Sequence, residues 1–310
     1  MALARELRCW ILHHYDTSPF SEKIRVIFGL KGLAWHSVIQ PVIMPKPDLT
    51  PLTGGYRRIP VLQIGADIYC DSQVAIAELE ARYPAPAVVQ PVDWAVNLWA
   101  DRLFFQATVT AVFAELGDKT PADFMADREK LSGRPFDVAA MKAGAGVMRA
   151  QWRAQAAWIE QGLSRGQPFL GGAAPSLGDV AAYMNVWWLC GAVPQTAAAL
   201  LNGLTGVTAW LRRVQAIGHG TRSEMAPAAA LAAARDASPA LPPAHDPYDV
   251  AGLAPGAPVL VSADDYGRDP IAGTLVATTP DRIVIARETT VTGPVNVHFP
   301  RVGYHLNPAD

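Results

Sequence analysis

The register of apolar and polar positions changes twice along the chain, and those changes divide it into three parts. Leu7-Arg8-Cys9-Trp10-Ile11-Leu12 is a run of apolar and β-favouring residues and predicts a first strand. Asp16-Thr17-Ser18-Pro19 then opens a segment in which Phe20, Ile24, Ile27 and Phe28 recur at helical spacing. A hydroxyl residue before proline marks a helix start, because proline tolerates the first helical position and the side-chain oxygen accepts an otherwise orphaned amide hydrogen. Lys31-Gly32 stops that helix, and Trp35 to Ile39 predicts a second strand. Between Gln40 and Tyr56, Pro41, Pro45, Pro47, Pro51 and Gly54-Gly55 leave room only for a short or irregular segment. The runs Arg57 to Ile64 and Asp67 to Cys70 flank Gly65-Ala66 and predict a hairpin. Asp71-Ser72 then precedes Ile76, Leu79 and Tyr83 at helical spacing, so a helix is expected there with Asp71 or Ser72 as its cap.

Pro84-Ala85-Pro86 ends this unit, and from about Asp93 to Ala234 the pattern is alanine-rich and helical throughout. Pro175-Ser176-Leu177-Gly178-Asp179 has the spacing of a capping box, with Ser176 as cap and Asp179 answering it. The tryptophans of this part read mainly as core. Ser238-Pro239, Pro242-Pro243 and Pro247 make a stiff linker over Asp236 to Asp249. Beyond it, Val259-Leu260-Val261, Gly273 to Val276, Arg282 to Ile285 and Val295 to Phe299 are short β runs separated by turns, and they predict a small sandwich or barrel. The expected units are residues 1–84, 92–235 and 248–310.

Composition narrows the class of partner. The chain has 310 residues, 50% of them hydrophobic and 17% charged, enough to bury a sizeable core. A formal charge of -2 supplies no basic field for nucleic acid or an anionic membrane, so small molecules or other proteins are the expected partners. No apolar run is long enough to span a bilayer, and Met1 to Arg8 lacks the apolar core of a leader, so a cytoplasmic location is expected. Cys9, Cys70 and Cys190 are widely separated and read as reduced, buried thiols. No metal-ligand spacing, phosphate loop or nucleophile elbow is present in the sequence.

Ser18-Pro19-Phe20-Ser21-Glu22-Lys23-Ile24-Arg25 after a first strand, Ile59-Pro60-Val61-Leu62 and Asp71-Ser72, in that order, resemble the motifs of the soluble glutathione S-transferases, and Phe169 to Asp179 resembles that family's second-domain capping box. The resemblance covers roughly the first three quarters of the chain. It implies an α/β thioredoxin-like N-terminal domain and an all-α C-terminal domain, to which this chain adds a small all-β appendage. It also implies glutathione as co-substrate, no metal, and a homodimer that the appendage would have to accommodate. Ile59 before a cis Pro60 would pair its backbone with the cysteinyl part of glutathione, and Asp71 with Ser72 would hold the γ-glutamyl end. Ser18 occupies the position of the catalytic serine in serine-type members, where others carry cysteine.

On that resemblance, Ser18 donates a hydrogen bond to the glutathione sulfur so that a thiolate attacks a hydrophobic electrophile, the chemistry of detoxification. Tyr15 and Ser21 are rival donors, Phe20 and Arg102 are further candidates for the site, and Trp99, Phe105, Gln106 and Trp187 are candidates for the electrophile pocket. His13 and His14 read as structural, Lys23 and Arg25 as solvated or ion-paired, and Arg57 and Arg58 as solvated loop residues. Serine at both 18 and 21 leaves no cysteine for a mixed disulfide, which disfavours glutaredoxin-like reduction. The competing class is a non-catalytic binding or assembly module whose β appendage contacts a partner.

Overall fold

In the computed structural model, which describes residues 9–164 and 166–309, the first strand is β1 (Ile11–His14). Leu7 and Arg8, expected at its start, lie outside the described residues, as does the rest of the segment read for a leader. Leu12 faces the cluster that includes Ile24 and Ile27 of α1 (Pro19–Leu30), whereas Ile11 faces the other side of the sheet. β2 (Ala34–Ile39) pairs parallel with β1. α2 (Thr50–Thr53) is a single turn, as the proline spacing requires. β3 (Val61–Ile64) and β4 (Asp67–Cys70) form the expected hairpin, with β3 antiparallel to β1, and α3 (Ser72–Arg82) returns across the sheet. The thioredoxin-like unit is therefore present.

The helical unit contains α4 (Asp93–Trp99), α5 (Phe105–Leu116), α6 (Ala122–Ser132), α7 (Val138–Leu163), α8 (Leu177–Ala192), α9 (Pro194–Leu201) and α10 (Thr205–Gln215). A π-helical turn, Ala100–Phe104, joins α4 to α5 without a break. Ser176 and Asp179 make the predicted capping box at the start of α8. Asp179 does more than cap: its Oδ1 also accepts from Leu170 N at 2.7 Å and from Trp210 Nε1 at 2.8 Å, which pins α10 and the preceding loop to α8.

Two parts of the chain depart from the pattern-based reading. The stretch after α10, read as helical, contains β5 (Thr221–Glu224), which pairs parallel with β2 at the sheet edge. It is followed by α11 (Pro227–Arg235), whose Ala230 and Ala234 are fully buried. Small side chains let this helix lie close to the sheet face that the one-turn α2 leaves open, and Gln63 Nε2 donates to Ala230 O at 2.8 Å across that seam.

The appendage is all-β but is neither a sandwich nor a barrel. β6 (Pro258–Ala263), β7 (Ile271–Thr278), β8 (Arg282–Thr289), β9 (Gly293–Pro300) and β10 (Tyr304–Pro308) extend the existing sheet. The result is one sheet of ten strands in the order β10-β6-β7-β8-β9-β4-β3-β1-β2-β5. β9 pairs parallel with β4, Ile68 opposite Val297 and Tyr69 opposite His298. An uncovered β4 edge would present unpaired amides and carbonyls, and β9 satisfies them. The two-residue period decides the facing: Val295, Val297 and Phe299 join Ile68 and Cys70 in one core, while His298 stacks on Tyr69 at 4.3 Å and reaches Asp67 Oδ1 at 3.0 Å on the other face. The proline-rich linker is tied down as well, with Ala240 N donating to Asp67 Oδ2 at 2.8 Å and Asp246 N to Thr278 O at 2.8 Å.

Candidate functional site

The start of α1, the Ile59–Pro60 bend and the start of α3 converge on a cleft whose opposite wall is the π-helical turn and α5. The cleft has two connected parts. The smaller is lined by Ile59, Pro60, Asp71 and Ser72, the larger, of about 950 Å³, by Tyr15, Ser18, Phe105, Phe113 and Trp188; Phe20, Arg58, Ile59, Asp101 and Arg102 border both.

Ser18 caps α1 from an extended backbone, with φ -75° and ψ 119°. Its Oγ accepts from Ser21 N at 3.2 Å, so a lone pair is committed to the cap while the hydroxyl hydrogen is left to donate into the cleft. The free amides and the positive end of the helix dipole face the same place, which favours an anion there. Tyr15 is the neighbouring wall residue; burial raises its hydroxyl pKa, and Arg128 and Ser18 beside it offset part of that rise. Ser21 is fully buried on α1 and does not border the cleft. Phe20 packs edge-on against Phe105 at 4.8 Å and closes the floor between the two parts.

The Ile59–Pro60 peptide is cis. Asp71 caps α3, with Oδ1 accepting from Gln73 N at 2.9 Å, and its φ is +93°. An L-residue holds such a backbone only where its surroundings enforce it. Ser72 is the first residue of α3 and is buried at the cleft wall. Arg102 lies on the π-helical turn, half-exposed, and pairs with Asp264 at 2.6 Å.

Several residues that shape the site were not singled out by the sequence, were read differently, or, like Lys23 and Arg25, take the ion-paired one of the two readings given. Lys23 is fully buried, and its Nζ contacts Asn97 and both oxygens of Asp101 at 2.8 Å, which fixes Asp101 in the cleft wall and ties α1 to α4. Arg25 is also buried and paired with Glu22 at 2.8 Å. Arg58 is largely buried rather than solvated: it pairs with Asp265 at 2.6 Å and lies 4.2 Å from the Tyr266 ring, so the appendage holds it. Arg57 pairs with Asp127 of α6. Trp188, not Trp187, borders the larger part of the cleft together with Phe105 and Gln106, and Trp99 stacks on Phe104 in the helical core. Both tryptophans are half-buried against the helical core, but Trp187 turns toward α1, where the Arg25 guanidinium lies 6.0 Å from its ring.

α6 closes one side of the cleft by binding both neighbours. Asp127 Oδ1 accepts from Met44 N at 3.0 Å, Arg128 donates to Val42 O at 2.8 Å, and Leu131 O accepts from Gly267 N at 2.6 Å. Lys46, buried beneath it, donates to Pro41 O; burial, reinforced by Arg128, lowers its pKa to about 8. His13 and His14 stand apart from the cleft, held by Gln63 at 2.8 Å and Ser37 at 3.0 Å, and burial lowers them to about 4 and about 3. Burial pushes the Cys9, Cys70 and Cys190 thiols up, and none of them borders the cleft. Among the described residues, no group of three or more His, Cys, Asp or Glu is placed to hold a metal ion, and no helix is long and apolar enough to cross a membrane.

Comparison with known proteins follows this geometry. The family profile described as glutathione S-transferase, N-terminal domain, matches residues 12–87, and that described as glutathione S-transferase, C-terminal domain, matches residues 92–213. A search of proteins with curated function finds no match. Among solved structures, a GST-like protein from Pseudomonas syringae is 37% identical, with a TM-score of 0.81 over 97% of this chain and 100% of that one. A match of that extent takes in the added strands as well. A Tau class glutathione S-transferase from mango, Mangifera indica, has a TM-score of 0.52 at 14% identity over 67% of this chain and 89% of that one. A glutathione S-transferase from Rhodospirillum rubrum has a TM-score of 0.50 at 21% identity over 66% of this chain and 87% of that one, and these two likenesses speak for the fold alone. With both domain profiles matched in order and a full-length relative at 37% identity, the chain belongs to the glutathione S-transferase family.

Proposed function

We propose that the protein is a serine-type glutathione transferase, in which Ser18 donates a hydrogen bond to the glutathione sulfur and the resulting thiolate attacks a hydrophobic electrophile. The observation that carries this reading is the convergence of Ser18, Ile59–Pro60 and Asp71–Ser72 on one cleft with an apolar far wall of Phe105, Phe113 and Trp188. The backbone of Ile59 pairs with the cysteinyl part of glutathione, and Asp71 and Ser72 take its γ-glutamyl end.

A free thiol has a pKa of about 8.5. A hydroxyl hydrogen bond to the charged sulfur contributes roughly 1.5–3 kcal/mol. The end of the helix adds up to about 2 kcal/mol in a partly buried site. At about 1.36 kcal/mol per unit, these lower the thiol pKa by about 1–4 units, enough to populate thiolate near neutral pH.

A cytoplasmic homodimer completes the proposal. Because β9 occupies the edge of β4, the second copy docks elsewhere than on that edge. Calorimetric titration of glutathione, paired with a chloronitrobenzene conjugation assay and light scattering, tests all three parts. Saturable binding with turnover supports the enzyme. No heat at millimolar glutathione refutes it and leaves the binding-module reading.

A further inference from the structure

The Asp71 carboxylate, proposed above to take the γ-glutamyl end of glutathione, is held from a distant part of the chain. Asp71 Oδ1 accepts from Gln73 N at 2.9 Å, and Oδ2 accepts from Tyr304 Oη at 3.0 Å. Tyr304 is the first residue of β10, so this second contact crosses from the added strands to the start of α3. Tyr304 has one hydroxyl hydrogen and a carboxylate can only accept, so that hydrogen goes to Asp71. The 3.2 Å contact between the Tyr304 and Tyr56 hydroxyls is then completed by the hydrogen of Tyr56.

This Tyr56, Tyr304, Asp71 relay sits in a packed frame. Both tyrosines are buried, and the Arg58 guanidinium lies 5.9 Å from each ring. Tyr266 and Asp265, also from the appendage, fix Arg58 in turn. Burial, with the charge of Asp71 next to it, pushes the Tyr304 hydroxyl well above the usual range, so it keeps its hydrogen at neutral pH. Asp71 itself has the enforced backbone described above, and Tyr304 is the contact that holds its second oxygen.

We propose that Tyr304 is a positioning residue of the glutathione site: its hydroxyl holds the Asp71 carboxylate toward the α-ammonium of the ligand, so the added strands complete a site that the N-terminal unit alone leaves loose. The inference rests on the glutathione reading. It gives the appendage a role inside the site, in addition to covering an edge.

The test is calorimetry with two probes, glutathione and its desamino analogue glutaryl-cysteinylglycine, which lacks only the ammonium. The wild-type protein prefers glutathione. In Tyr304→Phe the glutathione affinity falls by about tenfold while the analogue's affinity changes by less than about twofold, so the preference collapses. Tyr56→Phe, which removes only the outer link, shifts the preference the same way by a smaller factor and decides the matter if Tyr304→Phe does not fold. A Tyr304→Phe protein that keeps the wild-type preference, or loses affinity for both probes equally, overturns the inference, because a purely structural role moves both alike. Wild-type protein that binds neither probe refutes the glutathione reading instead.

Discussion

Replacing Lys23 by Met would break the contact that joins α1 to the helical unit. The Lys23 side chain is 0% exposed and Asp101 17% exposed, with Nζ 2.8 Å from the carboxylate. Such a pair adds little net stability, since desolvating both charges offsets their attraction. Removing one partner is different, because the other is left buried and uncompensated, at a cost of about 3–5 kcal/mol. Asp101 keeps a small opening to the cleft and one remaining donor, Asn97 Nδ2 at 3.0 Å, so water relieves part of that cost. We therefore expect about 3 kcal/mol, the lower end of the range. Adding Asp101→Leu removes the stranded charge and should recover about 1–2 kcal/mol, so the double variant is more stable than the single one. Guanidinium unfolding of wild type, both single variants and the double variant at pH 7 measures this coupling. A Lys23→Met cost below about 1 kcal/mol, or effects of the two substitutions that simply add, would refute the reasoning, because either means that the pair is solvated.

Three further outcomes follow from the same contacts. Lys46 should titrate near pH 8, and ¹³C-methyl labelling of lysines would show one resonance moving at least a unit before the rest. The unfolded chain keeps that proton up to the ordinary value of 10.5, so the contribution of this group makes stability rise with pH between about 8 and 10.5, and Lys46→Met should flatten that rise. His13 refuses a proton until about pH 4 in the fold but takes one near 6.5 when unfolded, so stability falls as pH drops through that window and His13→Gln should lessen the fall. Phe299→Ala, at a fully buried ring that packs 5.7 Å from Tyr304 and 6.0 Å from Tyr56, should cost about 3–5 kcal/mol in unfolding assays and weaken glutathione binding with it.

Local signals were readable in the sequence where local physics decides the structure. Ser18-Pro19, Asp71-Ser72 and the Ser176/Asp179 box are caps, set by a side chain and an amide within three residues, and each forms as the pattern predicts. The proline spacing over 41–56 likewise forbids a long helix wherever the segment is placed. What the sequence hid are choices between distant partners. The β runs after Val259 are read correctly as strands, yet nothing in them states that β9 will pair with β4 rather than close on its own neighbours. That pairing is decided by the open edge of β4, a property of the folded unit. The placement of α11, though not its helicity, is hidden for a related reason: an alanine-rich helix looks the same on a bundle or on a sheet, and only the space above β3 left by the one-turn α2 selects the sheet. Tyr304, Tyr266 and Arg58 follow from the same pairing, since they meet the site only because the appendage continues the sheet.

The account depends most directly on the state of the sulfur beside Ser18. The ultraviolet absorbance of the thiolate, followed against pH for glutathione bound to wild type and to Ser18→Ala, reads that state. We predict a bound thiol pKa about 1–4 units below the free value of about 8.5 in wild type, with about 1–2 units of that lost in Ser18→Ala. A bound thiol that titrates like free glutathione in wild type, or a lowered value that Ser18→Ala leaves in place, would contradict it.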